Sequence, residues 1–163
     1  GVSKTYSMTG WRIGFVACEA KLAAAISGMQ SHMTSNPNTI AQYAAEAAYS
    51  HEGGKAFLEE MKKSFDYRRK LIMEKLDAIP ELSYVTPQGA FYMFPSIKRF
   101  GMTSDEFATR LLREEKVAVV PGTAFGDCGE GYLRISYAYS LEDLKKALDR
   151  MEIFIQELRE EKN

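Results

Sequence analysis

Residues 55–78 read as one unbroken amphipathic helix, and that helix limits what the rest of the chain can form. Leu58, Met61, Phe65, Ile72 and Leu76 recur near one side at helical spacing, with Lys62, Lys63, Arg69 and Lys70 around them as a solvated face. Pro80 ends it, because proline lacks the amide donor and biases its predecessor away from helix. Gly53-Gly54 stands before it as a break. The chain is thereby divided into two expected domains, residues 1–52 and 53–163.

In the first portion, residues 11–18 alternate like a strand. Trp11, Ile13, Phe15 and Ala17 fall on one face, and Arg12 and Gly14 on the other. Residues 19–30 are alanine-rich and predict a helix ending near Gly28. Asn36-Pro37 reads as an N-cap followed by proline at the first helical position. Ile40, Tyr43, Ala44, Ala47 and Ala48 then make one stripe of mostly small residues. This portion is too small and flat to fold alone, and a strand at 11–18 needs neighbours. It is expected to expose apolar surface and to associate through it.

The second portion reads as a compact α+β unit. Tyr84-Val85 and residues 91–94 are strand-like, joined through Pro87-Gln88-Gly89. Thr103 with Glu106 forms a capping box for a helix to about Lys116. Residues 117–120 read as a buried strand closed by Pro121-Gly122, and residues 132–138 as another strand. Ser140 with Asp143 caps a last helix whose Leu141, Leu144, Leu148, Met151, Ile155 and Leu158 keep helical spacing. The expected class is α/β, with a short, mainly antiparallel sheet flanked by helices in the second unit. Met29, Met33, Met61 and Met151 read as core filler. Phe91 and Tyr92 read as strand core, with a side-chain pocket as the alternative.

Composition narrows the function classes. The chain has 163 residues, 45% hydrophobic and 26% charged, which is enough for a proper core. A net charge of −1 points to neither nucleic acid nor an anionic membrane surface. No stretch approaches the ~20 apolar residues of a membrane span, and no signal-peptide pattern is present. Cys18 and Cys128 are isolated thiols, which fits a reducing, cytoplasmic setting. His32 and His51 lack companions for a metal site.

The chemistry gathers at the opening stretch, GVSKTYSMTGWRIG. A lone lysine is ordinarily a solvated charge. Here Lys4 precedes Arg12 by eight positions, and Thr9-Gly10 lets the backbone turn between them. An amine and a guanidinium can thus reach one pocket. Arginine offers a rigid fork for phosphate. Lysine becomes a nucleophile when a neighbouring cation and desolvation lower its pKa. An aldehyde cofactor carrying a phosphate would use both. Arg134 lies in Tyr-Leu-Arg-Ile-Ser-Tyr and shares a strand face with Tyr132 and Ser136. On spacing alone, a surface ion pair and an anion-binding role stand even.

The opening stretch resembles the pyridoxal-phosphate attachment signature of the class I and II aminotransferases, the aspartate aminotransferase-like family of fold type I. Ser35-Asn36-Pro37 with Ile40-Ala41-Gln42, then Pro87-Gln88-Gly89-Ala90-Phe91-Tyr92, resemble further segments of that family. So do residues 120–126 and 131–138. The likeness runs over essentially the whole chain but only the C-terminal part of the family's length, so a fragment is expected.

The resemblance implies pyridoxal 5'-phosphate as cofactor and L-amino acid and 2-oxo acid substrates. Lys4 is then the Schiff-base lysine and general base, Arg12 the phosphate ligand and Arg134 the ligand of the substrate α-carboxylate. It also implies a homodimer. The family's ring-nitrogen aspartate, stacking aromatic and phosphate loop lie upstream of the lysine, so the chain alone is expected to be inactive. Ser31 stands where dicarboxylate-specific members often carry an arginine, which argues against that route to dicarboxylate recognition. Two other readings remain: a pyridoxal-phosphate lyase or synthase of the same fold, and a non-catalytic α+β module for dimerisation or regulation.

Overall fold

The computed structural model describes residues 1–161. It divides the chain into two compact units, Gly1–Lys63 and the part from Ser64 onward, with the boundary inside a long helix.

The first unit begins with a single helical turn, α1 (Val2–Thr5), and a 3-10 turn at Thr9–Trp11. Then come α2 (Ala20–Thr34), α3 (Thr39–Ser50) and the start of α4 (Glu52–Asp77). The helix expected to end near Gly28 continues to Thr34, because one interior glycine costs only about 1 kcal/mol relative to alanine. The actual stop is Ser35, at φ 65°. The next helix starts beyond Asn36-Pro37: Asn38 is its N-cap and accepts a hydrogen bond from the Ala41 amide at 3.0 Å. Gly53-Gly54 is no break. Both glycines lie in the first turn of α4, and the chain turns at His51 instead. Gly54 is there for space, since a Cβ on it would sit 2.1 Å from the Ala48 carbonyl oxygen.

Residues 11–18 form no strand. Trp11 closes the 3-10 turn, Arg12 is left-handed, and the residues after it find no ladder partner among the described residues. Period-two alternation makes a strand only where a neighbour takes up the backbone hydrogen bonds. What the unit does bury is small: Val2, Met8 and Ala41. Tyr49 meets the Tyr6 and Phe15 rings edge-on, at 5.0 and 5.9 Å. No residue of α2 is buried. Met29 and Met33 are therefore exposed, at 65% and 73%, and are not core filler; Met151 of the other unit is.

The second unit closes a core. Ile72 and Leu76 of α4 are buried, and the helix stops at Asp77, where the Tyr84 hydroxyl donates to Asp77 Oδ1 at 2.6 Å. Three short strands, β1 (Tyr92–Met93), β2 (Val120–Pro121) and β3 (Leu133–Ser136), form an antiparallel sheet in the order β1-β3-β2. Tyr92 pairs with Ser136, and Val120 with Arg134. Tyr84-Val85 is not a strand. The isolated bridge falls at Ser83 with Ser96, and Val85 is exposed. Of the run 117–120, only Val120 enters the ladder.

Two helices cover this sheet, α5 (Ser104–Glu115) and α6 (Leu141–Glu160). Thr103 caps α5 by accepting from the Glu106 amide at 3.2 Å, and Ser140 caps α6 by accepting from the Asp143 amide at 3.1 Å. Phe107 of α5 meets Phe154 of α6 edge-on at 5.1 Å, in a core shared with Met93, Leu133 and Ile135 of the sheet. No helix among the described residues is long and apolar enough to cross a membrane.

Candidate active site

Lys4 and Arg12 lie in the first unit on one short folded segment. Buried Val2 and Met8 anchor it, and α1 packs against the Thr9–Trp11 turn. Lys4 is in the last turn of α1 and is exposed. Arg12 follows the turn at φ 52°. A left-handed arginine costs about 1–2 kcal/mol, and such strain persists where the position is needed. Its Nη1 donates to the Thr9 carbonyl at 2.9 Å, which folds the side chain back over the turn. Among the described residues no carboxylate pairs with Arg12. A shallow concavity beside it is lined by Ser7, Gly10, Trp11, Asn38, Ile40 and Ala41.

Arg134 lies in the second unit, in the middle of β3. The strand's alternation buries Leu133 and Ile135 and leaves Arg134 and Ser136 half-buried on the other face. The Arg134 guanidinium carbon is 4.6 Å from the centroid of the Tyr92 ring and 4.6 Å from that of Phe125. Its Nε is buried with no hydrogen-bond partner, and among the described residues no carboxylate pairs with it. The ion-pair alternative is thereby set aside. Tyr92 is neither buried core nor a simple pocket wall: its ring lies against the arginine. Sequence reasoning does not single out Phe125, whose ring lies against this guanidinium, although it stands in a motif that the resemblance used.

The loop leading into β3 is fixed by one buried hydroxyl. Ser104 Oγ accepts from the Gly131 and Tyr132 amides at 2.8 and 3.2 Å, and the Ser104 amide donates to Glu130 Oε1 at 2.8 Å. Gly122 and Gly129 cross backbone to backbone here; a Cβ on Gly122 would lie 2.0 Å from the Gly129 oxygen. On the other side of β3, the Tyr137 hydroxyl donates to the Ala90 carbonyl at 3.2 Å, just ahead of Tyr92. Burial raises the Tyr137 pKa, keeping that hydroxyl protonated and able to donate.

The sequence profile of the aminotransferase class I and II family matches residues 1–151. The chain belongs to that family. It is 49% identical to an aspartate aminotransferase of Pyrococcus abyssi, over 96% of this chain and 40% of that protein. It is 45% identical to aromatic-amino-acid aminotransferase 2 of Thermococcus litoralis, over 96% and 40%. The crystal structure of an aromatic aminotransferase from Pyrococcus horikoshii superimposes with a TM-score of 0.94 at 46% identity, covering 98% of this chain and 42% of that one. The fold is that of the corresponding part of the fold type I aminotransferases. The chain spans about 40% of the length of these relatives.

Members of this family depend on pyridoxal phosphate. The residues present fit such a group. Arg12 has no carboxylate competing for its guanidinium, and its neighbour Ser7 adds a hydroxyl, a donor set suited to a phosphate. Lys4 adds an amine on the same segment.

Proposed function

We propose that the protein carrying this chain transfers an amino group from an L-amino acid to a 2-oxo acid. The observation that carries this reading is the pairing of family membership with an intact Lys4, Arg12 and Arg134, the two arginines lacking carboxylate partners. Pyridoxal phosphate, when bound, supplies the electron sink for the carbanion formed at the substrate α-carbon. Arg12 presents its fork to the phosphate and orients the ring. Arg134 would take the substrate α-carboxylate as a bidentate pair. The Lys4 amine would take the α-proton as a general base and then hold it as the conjugate acid.

The proposal extends to organisation. Residues 1–52 belong to a larger cofactor-binding domain and 53–163 to a small domain, and the whole protein is a cytoplasmic homodimer. The apolar surface on the first unit supports association, with Ile40 and Tyr43 exposed at 72% and 69%.

The test is an amino-transfer assay on the full-length protein with L-aspartate and L-phenylalanine as donors and 2-oxoglutarate as acceptor. Transfer lost in Lys4→Ala, with the fold retained, is the expected result. Elimination products without transfer would make it a lyase instead, and unchanged transfer in Lys4→Ala would end the assignment of that residue.

A further inference from the structure

We propose that Tyr92 and Phe125 are positioning residues for Arg134, holding its guanidinium by ring contact where a carboxylate would compete with the substrate. The inference rests on the reading of Arg134 as the carboxylate ligand. Three observations carry it. First, the two rings come from either side of β3. Tyr92 is on β1, paired with Ser136, which lies two positions along β3 from Arg134, and Phe125 follows β2 in the 3-10 turn Gly122–Phe125. Each is 4.6 Å from the guanidinium carbon, within cation–π range. Second, Arg134 has no carboxylate partner among the described residues, and its buried Nε has no acceptor. A buried donor left unpaired is a cost that folded proteins seldom leave in place without a reason. Third, Phe125 is half exposed and does not belong to the core, so burial does not explain it.

The rings are themselves held. Phe94 meets Phe125 edge-on at 6.2 Å and stacks on Tyr132 at 5.4 Å. Tyr92 leans on Phe91 at 4.5 Å, and Phe91 packs on Phe65 at 5.9 Å. An arginine has several rotatable bonds, and freezing them on binding costs affinity. Ring contact freezes them beforehand. It leaves the positive charge unneutralised and the terminal N–H groups available, which an Asp or Glu neighbour would not. The arrangement therefore trades an ion pair for a pre-set fork.

The experiment uses the full-length protein with selectively ¹⁵N-labelled arginine. The Arg134 Nε–Hε resonance is expected upfield from the ring currents and slow to exchange. Tyr92→Leu and Phe125→Leu should each reduce the shift, while Tyr92→Phe, which keeps the ring, should retain it. In kinetics with L-aspartate and L-phenylalanine, each leucine variant should raise KM about 5- to 30-fold with little change in kcat, and Tyr92→Phe should restore it. If both leucine variants leave the resonance and KM at wild-type values, the rings do not position Arg134. The variant Arg134→Lys separates the two layers. A KM unmoved by Arg134→Lys removes the carboxylate role, and the proposal with it. A KM raised by Arg134→Lys but by neither leucine variant removes the positioning role alone.

Discussion

The two units of this chain use the same kinds of residue to opposite ends. In the second unit, helical and strand spacing ends in burial: Ile72, Met93, Phe107, Leu133 and Phe154 have essentially no exposed surface. In the first, equally regular apolar positions stay open to solvent, among them Phe15, Met33 and Ile40. The difference is not in the pattern but in the partner. Periodicity prepares a face, and only a second face buries it. The second unit has its opposing faces within it, in α5, α6 and the sheet. In the first unit no residue of α2 is buried, and Phe15 stays exposed although its ring meets that of Tyr49. The candidate site residues divide the same way, with Lys4 and Arg12 on the open unit and Arg134 on the closed one.

That contrast can be broken most easily with cavity-forming substitutions. Phe107→Ala should lower the unfolding free energy by about 3–5 kcal/mol, because the ring is fully buried between Phe100 and Phe154. Ile40→Ala should change it by less than about 0.5 kcal/mol. Urea titration of the two variants checks both, and comparable losses would erase the distinction between the units.

A smaller effect sharpens the account of the closed unit. Ser104→Ala should cost about 1–3 kcal/mol, since it strands the buried Gly131 amide, whereas the Tyr132 amide keeps the Gly129 carbonyl as acceptor. Its thermal midpoint should fall while Thr103→Ser, which keeps a capping hydroxyl, stays near wild type.

The smallest effect is electrostatic. The Arg159 guanidinium, bonded to both Glu81 oxygens at 2.8 and 2.7 Å, holds the Glu81 carboxyl below its ordinary value of 4.5. A depressed folded pKa contributes stability that is complete above 4.5 and is lost as pH falls through the lower folded value. The stability difference between wild type and Glu81→Gln should therefore shrink as pH drops below 4.5, which acid titration at fixed urea would follow. A difference constant with pH would remove the ion pair from the account.

Much of the second unit was legible from the residues. Thr103 and Ser140 are caps because a short hydroxyl stands three positions before an acidic residue, and the Leu144 to Leu158 spacing names the buried face of α6. The failures share a cause. Residues 11–18, Gly28 and Gly53-Gly54 invite local rules, whereas the missing ladder partner, the small cost of one interior glycine and the close Ala48 carbonyl decide them. In the site, Lys4, Arg12 and Arg134 were visible as charges in recognisable motifs. The contact of Tyr92 and Phe125 with Arg134 was not, because it depends on the register of β1 and β2 against β3, which no spacing in the sequence encodes.

On the proposed function, the opening segment takes a phosphate-bearing aldehyde at Lys4. Adding pyridoxal phosphate to the full-length protein, reducing with borohydride and mapping the modified lysine by peptide mass spectrometry tests it most directly. The account predicts one dominant modification, at Lys4, that is strongly reduced in Arg12→Ala. Label spread over the surface lysines, or concentrated on another lysine and indifferent to Arg12, would contradict it.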